Sequence, residues 1–124
     1  MNVLVVDNNV PALLTIVGLI RGWGYKAEMS ETGWETLDKI RKGSFDLVLM
    51  DVSVPDMSVQ ELIRGIKELN PRLGIVTMTE KSTEELERGI RTLGIIYYMS
   101  KPVSEEHLKE ILDHISIRKS VHTE

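Results

Sequence analysis

Short, unbroken apolar runs alternate along this chain with segments whose apolar residues recur at helical spacing, and that alternation fixes the fold class. Val3-Leu4-Val5-Val6, Phe45-Asp46-Leu47-Val48-Leu49-Met50, Gly74-Ile75-Val76-Thr77-Met78 and Ile95-Ile96-Tyr97-Tyr98-Met99 read as strands covered on both faces, because a strand with one wet face alternates polar and apolar residues. Tyr25-Lys26-Ala27-Glu28-Met29 does alternate, which suits the edge of the same sheet. Leu13, Leu14, Ile16, Val17 and Ile20 mark the first helix, and Pro11 near its start needs no backbone partner there. Leu62, Ile63, Ile66 and Leu69 mark the third, which stops at Asn70-Pro71, while Leu108, Ile111, Leu112 and Ile115 stripe the last.

Helix starts are signalled where a hydroxyl residue precedes a glutamate by three positions: Thr32 with Glu35, Ser58 with Glu61, and Ser82 with Glu85. In that arrangement each side chain satisfies an orphan N–H of the first turn. Gly22-Trp23-Gly24 follows a helix and precedes a strand, so it is a helix stop and not a pyrophosphate turn. Strands alternating with helices imply right-handed crossovers and one parallel sheet with helices on both faces. Residues 1–119 form one domain on this reading, and 120–124, at the end of a polar stretch from Arg118 without a face, form a frayed tail.

The chain of 124 residues is 42% apolar, enough for one core, and carries 15 basic and 19 acidic residues, a net charge of −4. No basic field is present to draw nucleic acid, so direct nucleic-acid binding is not expected. No apolar run approaches the roughly 18 residues of a spanning helix. The first apolar run is broken by Asp7-Asn8-Asn9, and there is no cysteine, so a cytoplasmic protein without membrane insertion is expected.

Ligands of open parallel sheets bind beyond the carboxyl ends of the strands, and four polar clusters follow the strands there. The first strand delivers Asp7-Asn8-Asn9, the third Asp51, the fourth Thr79 and the fifth Lys101-Pro102. Paired carboxylates suit Mg²⁺, which binds through one or two of them and keeps several waters. A lysine and a threonine hydroxyl add a positive charge and a donor for an oxyanion. Taken singly, each residue is an ordinary turn or loop residue. Their coincidence on one rim reads as a phosphoryl site with an aspartate nucleophile.

Leu4-Val5-Val6-Asp7, Thr32-Gly33-Trp34-Glu35-Thr36-Leu37, Leu49-Met50-Asp51 followed by Pro55, Thr79, and Tyr98-Met99-Ser100-Lys101-Pro102 resemble the signature of response-regulator receiver domains, from Val3 to about Ile117. The resemblance implies a single, doubly wound, flavodoxin-like sheet of five parallel strands in the order 2-1-3-4-5. It implies that Asp51 is phosphorylated by a sensor histidine kinase or phosphotransfer protein, with Mg²⁺ held by Asp7, Asp51 and the backbone carbonyl of Ser53. It further implies that Lys101 and Thr79 contact the phosphoryl group, that the Lys101-Pro102 bond is cis, and that Tyr98 is a rotameric reporter. Such a domain is a regulatory phosphoacceptor that assists its own phosphoryl transfer and, in some settings, its dephosphorylation. Its output is altered partner binding, including a homodimer through the fourth helix, fifth strand and fifth helix.

The chain departs from the family pattern at three places. The second acid after the first strand is replaced by Asn8, which ligates weakly or through water, so Mg²⁺ is expected to bind less tightly. Met57-Ser58-Val59 replaces the usual Met-Asp-Gly. Ser58 caps a helix as well as aspartate does, but a valine in place of glycine predicts a different loop path. Glu80 stands where the family favours a small residue, and it is expected to point to solvent. These changes define the alternative, a pseudo-receiver that binds partners with little or no phosphorylation. A haloacid-dehalogenase-type phosphatase wants a second aspartate two residues after the nucleophile, whereas Val52-Ser53 follows Asp51.

Among the remaining residues, Trp34 and Tyr97 are expected to pack, and His107 and His114 to face solvent. Gly89 weakens the fourth helix by about 1 kcal/mol relative to alanine.

Overall fold

The computed structural model describes residues 1–122. In chain order its elements are β1 (Asn2–Val6), α1 (Val10–Gly22), β2 (Lys26–Ser30), α2 (Gly33–Lys42), β3 (Leu47–Asp51), α3 (Val59–Leu69), β4 (Gly74–Thr79), α4 (Glu84–Arg91), β5 (Tyr97–Ser100) and α5 (Glu105–His122). The five strands form one sheet in the order β2-β1-β3-β4-β5, with every pairing parallel. The edge placed at the alternating Tyr25–Met29 run is β2, next to β1 alone. Of the tail expected at 120–124, α5 includes the backbone through His122, and residues 123 and 124 lie outside the described residues.

Successive side chains of a strand point to opposite faces, and the buried runs divide accordingly. Val3, Val5, Leu47, Leu49, Val76 and Met78 pack beneath α1 and α5, on Leu13, Ile16, Val17 and Ile20 and on Leu108, Ile111, Leu112 and Ile115. Leu4, Val6, Val48, Met50 and Ile75 pack on the other face against Ile40, Leu62, Ile63, Ile66 and Ile90 of α2, α3 and α4. Two cores thus share one sheet, which is why its central strands tolerate no alternation. Burying a Leu or Ile side chain stabilises by about 1.5–3 kcal/mol, so either layer is worth more than any surface contact described below.

Local signals hold at most helix ends. Thr32 accepts from the Glu35 N–H and Ser58 from the Glu61 N–H. α1 stops at Trp23, followed by Gly24 with φ of 94°, a left-handed conformation that glycine adopts without strain. The cap expected at Ser82 moves by one residue: Thr83 accepts from the Leu86 N–H, and α4 begins at Glu84. Thr, like Ser, is a favoured cap residue, and the Ser82 hydroxyl pairs with that of Tyr98. One other expectation is corrected: Trp34 does not pack but is 67% exposed on α2. Val59 is the first residue of α3, where φ is negative, and its side chain is buried beside Leu62 and Ile63.

Candidate functional site

The registers level the strand ends. Val6 lies opposite Met50, Asp51 opposite Met78, and Thr79 opposite Ser100. Asp7, Asp51, Thr79 and Lys101 therefore emerge on one rim, at the crevice opened where the chain order reverses between β1 and β3. A cavity of about 570 Å³ there is lined by Asp7, Asn8, Asp51, Ser53, Thr79, Glu80 and Lys101, among others. Every residue that the sequence placed in the site lies on this cavity except Tyr98.

Each side chain is held by its own loop. Asp7 Oδ1 accepts from the Asn9 N–H at 2.9 Å, and the Asn9 side chain in turn caps α1. Asp51 Oδ1 accepts from the Ser53 N–H at 2.8 Å. The Lys101 N–H donates to the Thr79 carbonyl at 2.8 Å, so the end of β5 is fastened to the end of β4 before the cis Lys101-Pro102 bond. Thr79 Oγ1 accepts from the Lys81 N–H at 3.3 Å.

With both Oδ1 atoms occupied by main-chain donors, both Oδ2 atoms turn to one ammonium. Lys101 Nζ stands 2.7 Å from Asp7 Oδ2 and 2.5 Å from Asp51 Oδ2. Both acids are buried, and only 13% of the lysine side chain is exposed. Burial by itself would push the Lys101 ammonium down, but its hydrogen bonds to Asp51 and Asp7 outweigh that and hold its pKa above the ordinary lysine value. Two carboxylates and one ammonium leave the clamp with a single net negative charge.

Oxygen-only donors on two adjacent strands, close enough to share one cation, have the chemistry that Mg²⁺ requires. Among the described residues no third carboxylate or imidazole joins them. Asn8, exposed on the rim, offers a neutral amide oxygen, so water must complete the coordination. The residues fit a water-rich Mg²⁺ site.

Tyr98 sits on β5 beside Thr77, below the rim. Its hydroxyl and the Ser82 hydroxyl share a hydrogen bond of 2.9 Å, and the Arg91 guanidinium lies 5.8 Å from the ring centroid. The ring is thus tied to the loop before α4 and to α4 itself. Sequence reasoning missed Ser82 in this role, and it missed Asp56. The Asp56 carboxylate accepts from the Gly33 N–H at 2.8 Å and the Trp34 N–H at 3.0 Å, fastening the loop after Asp51 to the start of α2. Those bonds, first that from Trp34, hold its pKa below the ordinary aspartate value. No local pattern signals such a contact, because donor and acceptor lie 22 and 23 residues apart.

A family model for the response regulator receiver domain matches residues 3–113. The chain belongs to that family. It is 32% identical over 127 residues to the transcriptional regulatory protein ZraR of Klebsiella oxytoca, an alignment covering 99% of this chain and 29% of that protein. It is 31% identical over 115 residues to the sensor histidine kinase GacS of Pseudomonas protegens, covering 89% of this chain and 12% of that protein. The chain therefore spans less than a third of the length of either relative. Among solved structures, a CheY-like receiver domain from Methanospirillum hungatei JF-1 superposes with a TM-score of 0.87 at 27% identity, covering 96% of both chains. A two-component response regulator from Clostridium difficile shares the fold, with a TM-score of 0.91 at 20% identity. Receiver domains are signalling modules of two-component systems, and in general they bind Mg²⁺ at their acidic pocket. Among the described residues of this one, no helix is long and apolar enough to cross a membrane.

Proposed function

We propose that this receiver domain is a phosphorylation-driven switch in which Asp51 accepts a phosphoryl group from the phosphohistidine of a sensor histidine kinase or phosphotransfer protein. The clamp of Lys101 on Asp7 and Asp51 carries this reading, because one ammonium lies between the proposed nucleophile and a second acid. In the transfer, an oxygen of Asp51 bonds to phosphorus as the P–N bond of the donor breaks, and the leaving imidazole takes up a proton. Lys101 turns from the carboxylates to the phosphoryl oxygens, and the Thr79 hydroxyl donates to the same group. Mg²⁺, when bound by Asp7, Asp51, the Ser53 carbonyl and Asn8 or its water, supplies positive charge that offsets the meeting of carboxylate and phosphoryl group.

The output runs through Tyr98. Drawing Thr79 and its loop towards the phosphoryl group displaces Ser82, three residues on, and frees the ring to turn. The surface of α4, β5 and α5 then changes its affinity for a partner or for a second copy, with a coupling of about 1–3 kcal/mol. The domain acts as a cytoplasmic regulatory phosphoacceptor, not as a turnover enzyme. A pseudo-receiver is the second reading, favoured by the neutral Asn8 on the rim and by Glu80 at its mouth.

Incubation with acetyl phosphate and Mg²⁺, followed by reductive trapping and mass spectrometry, is expected to place the adduct on Asp51. An adduct elsewhere, or none at saturating donor, rejects the assignment. Sedimentation with and without beryllofluoride reports the dimer, and identical profiles reject self-association as the output.

A further inference from the structure

The loop from β3 to α3 passes the acid pocket and contributes Ser53 to its lining. The start of the loop is fixed: the Val52 N–H donates to the Met78 carbonyl at 3.0 Å, and the Ser53 N–H to Asp51. Beyond that, among the described residues, no main-chain hydrogen bond joins residues 54–57 to another part of the main chain. This stretch is held by α2 instead. The two Asp56 oxygens accept from the first two N–H groups of that helix, Gly33 and Trp34. The Met57 side chain packs so closely on Gly33 that a Cβ there would fall 2.6 Å from its Sδ. α2 is itself anchored to the sheet, because the buried Thr36 hydroxyl donates to the Thr32 carbonyl and pairs at 2.8 Å with the buried Ser30 hydroxyl at the end of β2. Direct contacts therefore run from β2 through α2 and Asp56 to the loop that carries Ser53.

We infer that Asp56 is a positioning residue for the acid pocket: through its bonds to α2 it sets the place of the Ser53 carbonyl, and with it the affinity of the pocket for Mg²⁺. The inference rests on the reading of that carbonyl as a metal ligand. Asp56 does not line the pocket, so it acts through the loop and not as a ligand. Mg²⁺ demands near-ideal octahedral geometry, with oxygens at about 2.0–2.1 Å, and a carbonyl that drifts with its loop meets that demand poorly. Asp7 and Asp51 are each aimed by a main-chain donor of their own turn, whereas a main-chain carbonyl takes its place from the loop alone. With a neutral residue at Asn8 and no third carboxylate or imidazole in reach among the described residues, the pocket has little else to compensate. The coupling is reciprocal: a metal that fixes the carbonyl also firms the bonds from Gly33 and Trp34 to Asp56.

The test is calorimetric titration of Mg²⁺ into wild type, Asp56→Ala, Asp56→Asn and Asn70→Ala. Asparagine removes the same charge as alanine but keeps one acceptor for α2, so the difference between the two variants measures the bonds and not the charge. Asn70→Ala removes a side-chain bond to the Arg72 N–H beyond the far end of α3, a comparable local loss away from the pocket. Asp56→Ala is expected to bind Mg²⁺ about three- to tenfold more weakly than wild type, below the roughly ten- to hundredfold that follows loss of a direct partner of a metal ligand. Asp56→Asn should keep most of the affinity, and Asn70→Ala all of it. Hydrogen exchange gives a readout that needs wild type alone: saturating Mg²⁺ should slow exchange at the Gly33 and Trp34 amides. Exchange there that ignores Mg²⁺, unchanged affinity in Asp56→Ala, equal losses in Asp56→Ala and Asp56→Asn, or an equal loss in Asn70→Ala overturns the inference and leaves the metal site standing. If none of the four proteins binds Mg²⁺, the metal-site reading fails and this inference with it.

Discussion

Replacing Lys101 by methionine removes the one cation between Asp7 and Asp51 and leaves most of the packed side-chain volume in place. Two charge-assisted hydrogen bonds, at 2.7 and 2.5 Å, are lost, and two buried carboxylates are left facing each other. Breaking a buried ion pair by removing one partner costs about 3–5 kcal/mol. Part of the Lys101 side chain reaches solvent, so water enters the vacated space and lowers that cost. The expected destabilisation is therefore about 2–4 kcal/mol, measured by urea unfolding at neutral pH without divalent cations. The sign of its recovery is equally definite: Mg²⁺ replaces the missing charge, so adding it should stabilise Lys101→Met more than wild type. In wild type the clamp should hold throughout the neutral range. A raised lysine pKa contributes stability that is complete below the unfolded value of 10.5 and is lost only as pH rises through the higher folded value. If Lys101→Met unfolds at the wild-type urea midpoint and gains nothing extra from Mg²⁺, the two carboxylates do not share a cation and the account of the site is wrong.

Asn8→Asp adds a charged oxygen beside Asp7, and calorimetric titration is expected to show Mg²⁺ binding about tenfold tighter; unchanged affinity would mean that other groups hold the metal. Asp56→Asn keeps the shape of the link to α2 and removes its charge, which at this exposed position should cost less than about 1 kcal/mol. Because the Asp56 pKa is lowered by folding, its contribution is present above the unfolded value of 3.8 and fades as pH falls through the folded one. The stability gap between the two proteins should therefore close in acid, and a gap that does not change with pH would remove the carboxylate from the explanation.

The amino-acid sequence by itself determined the layers of this domain. Val3–Val6 and Leu47–Met50 are apolar at every position, and only a strand buried on both faces makes use of such a run, so helices on both sides followed. The periods of α3 and α5 named their buried residues because a helix shows one stripe to the sheet whatever its neighbours are. Asp7, Asp51, Thr79 and Lys101 were legible as one rim because a parallel sheet brings the carboxyl ends of its strands level.

Only tertiary structure decided what those residues do to one another. The pairing of Lys101 with Asp7 spans 94 positions, and the grip of Asp56 on α2 joins two loops that no local period connects. Thr83 and not Ser82 caps α4, while the Ser82 hydroxyl pairs with a tyrosine on the next strand. Trp34, expected to pack, is left exposed on α2, and Glu80, an ordinary surface acid in sequence, stands where two cavities meet. The physical reason is common to all of these. Hydrophobic pattern is a property of a segment and its period, whereas hydrogen bonds, ion pairs and the field at a pocket mouth depend on distances of a few ångströms between segments that only the folded chain brings together.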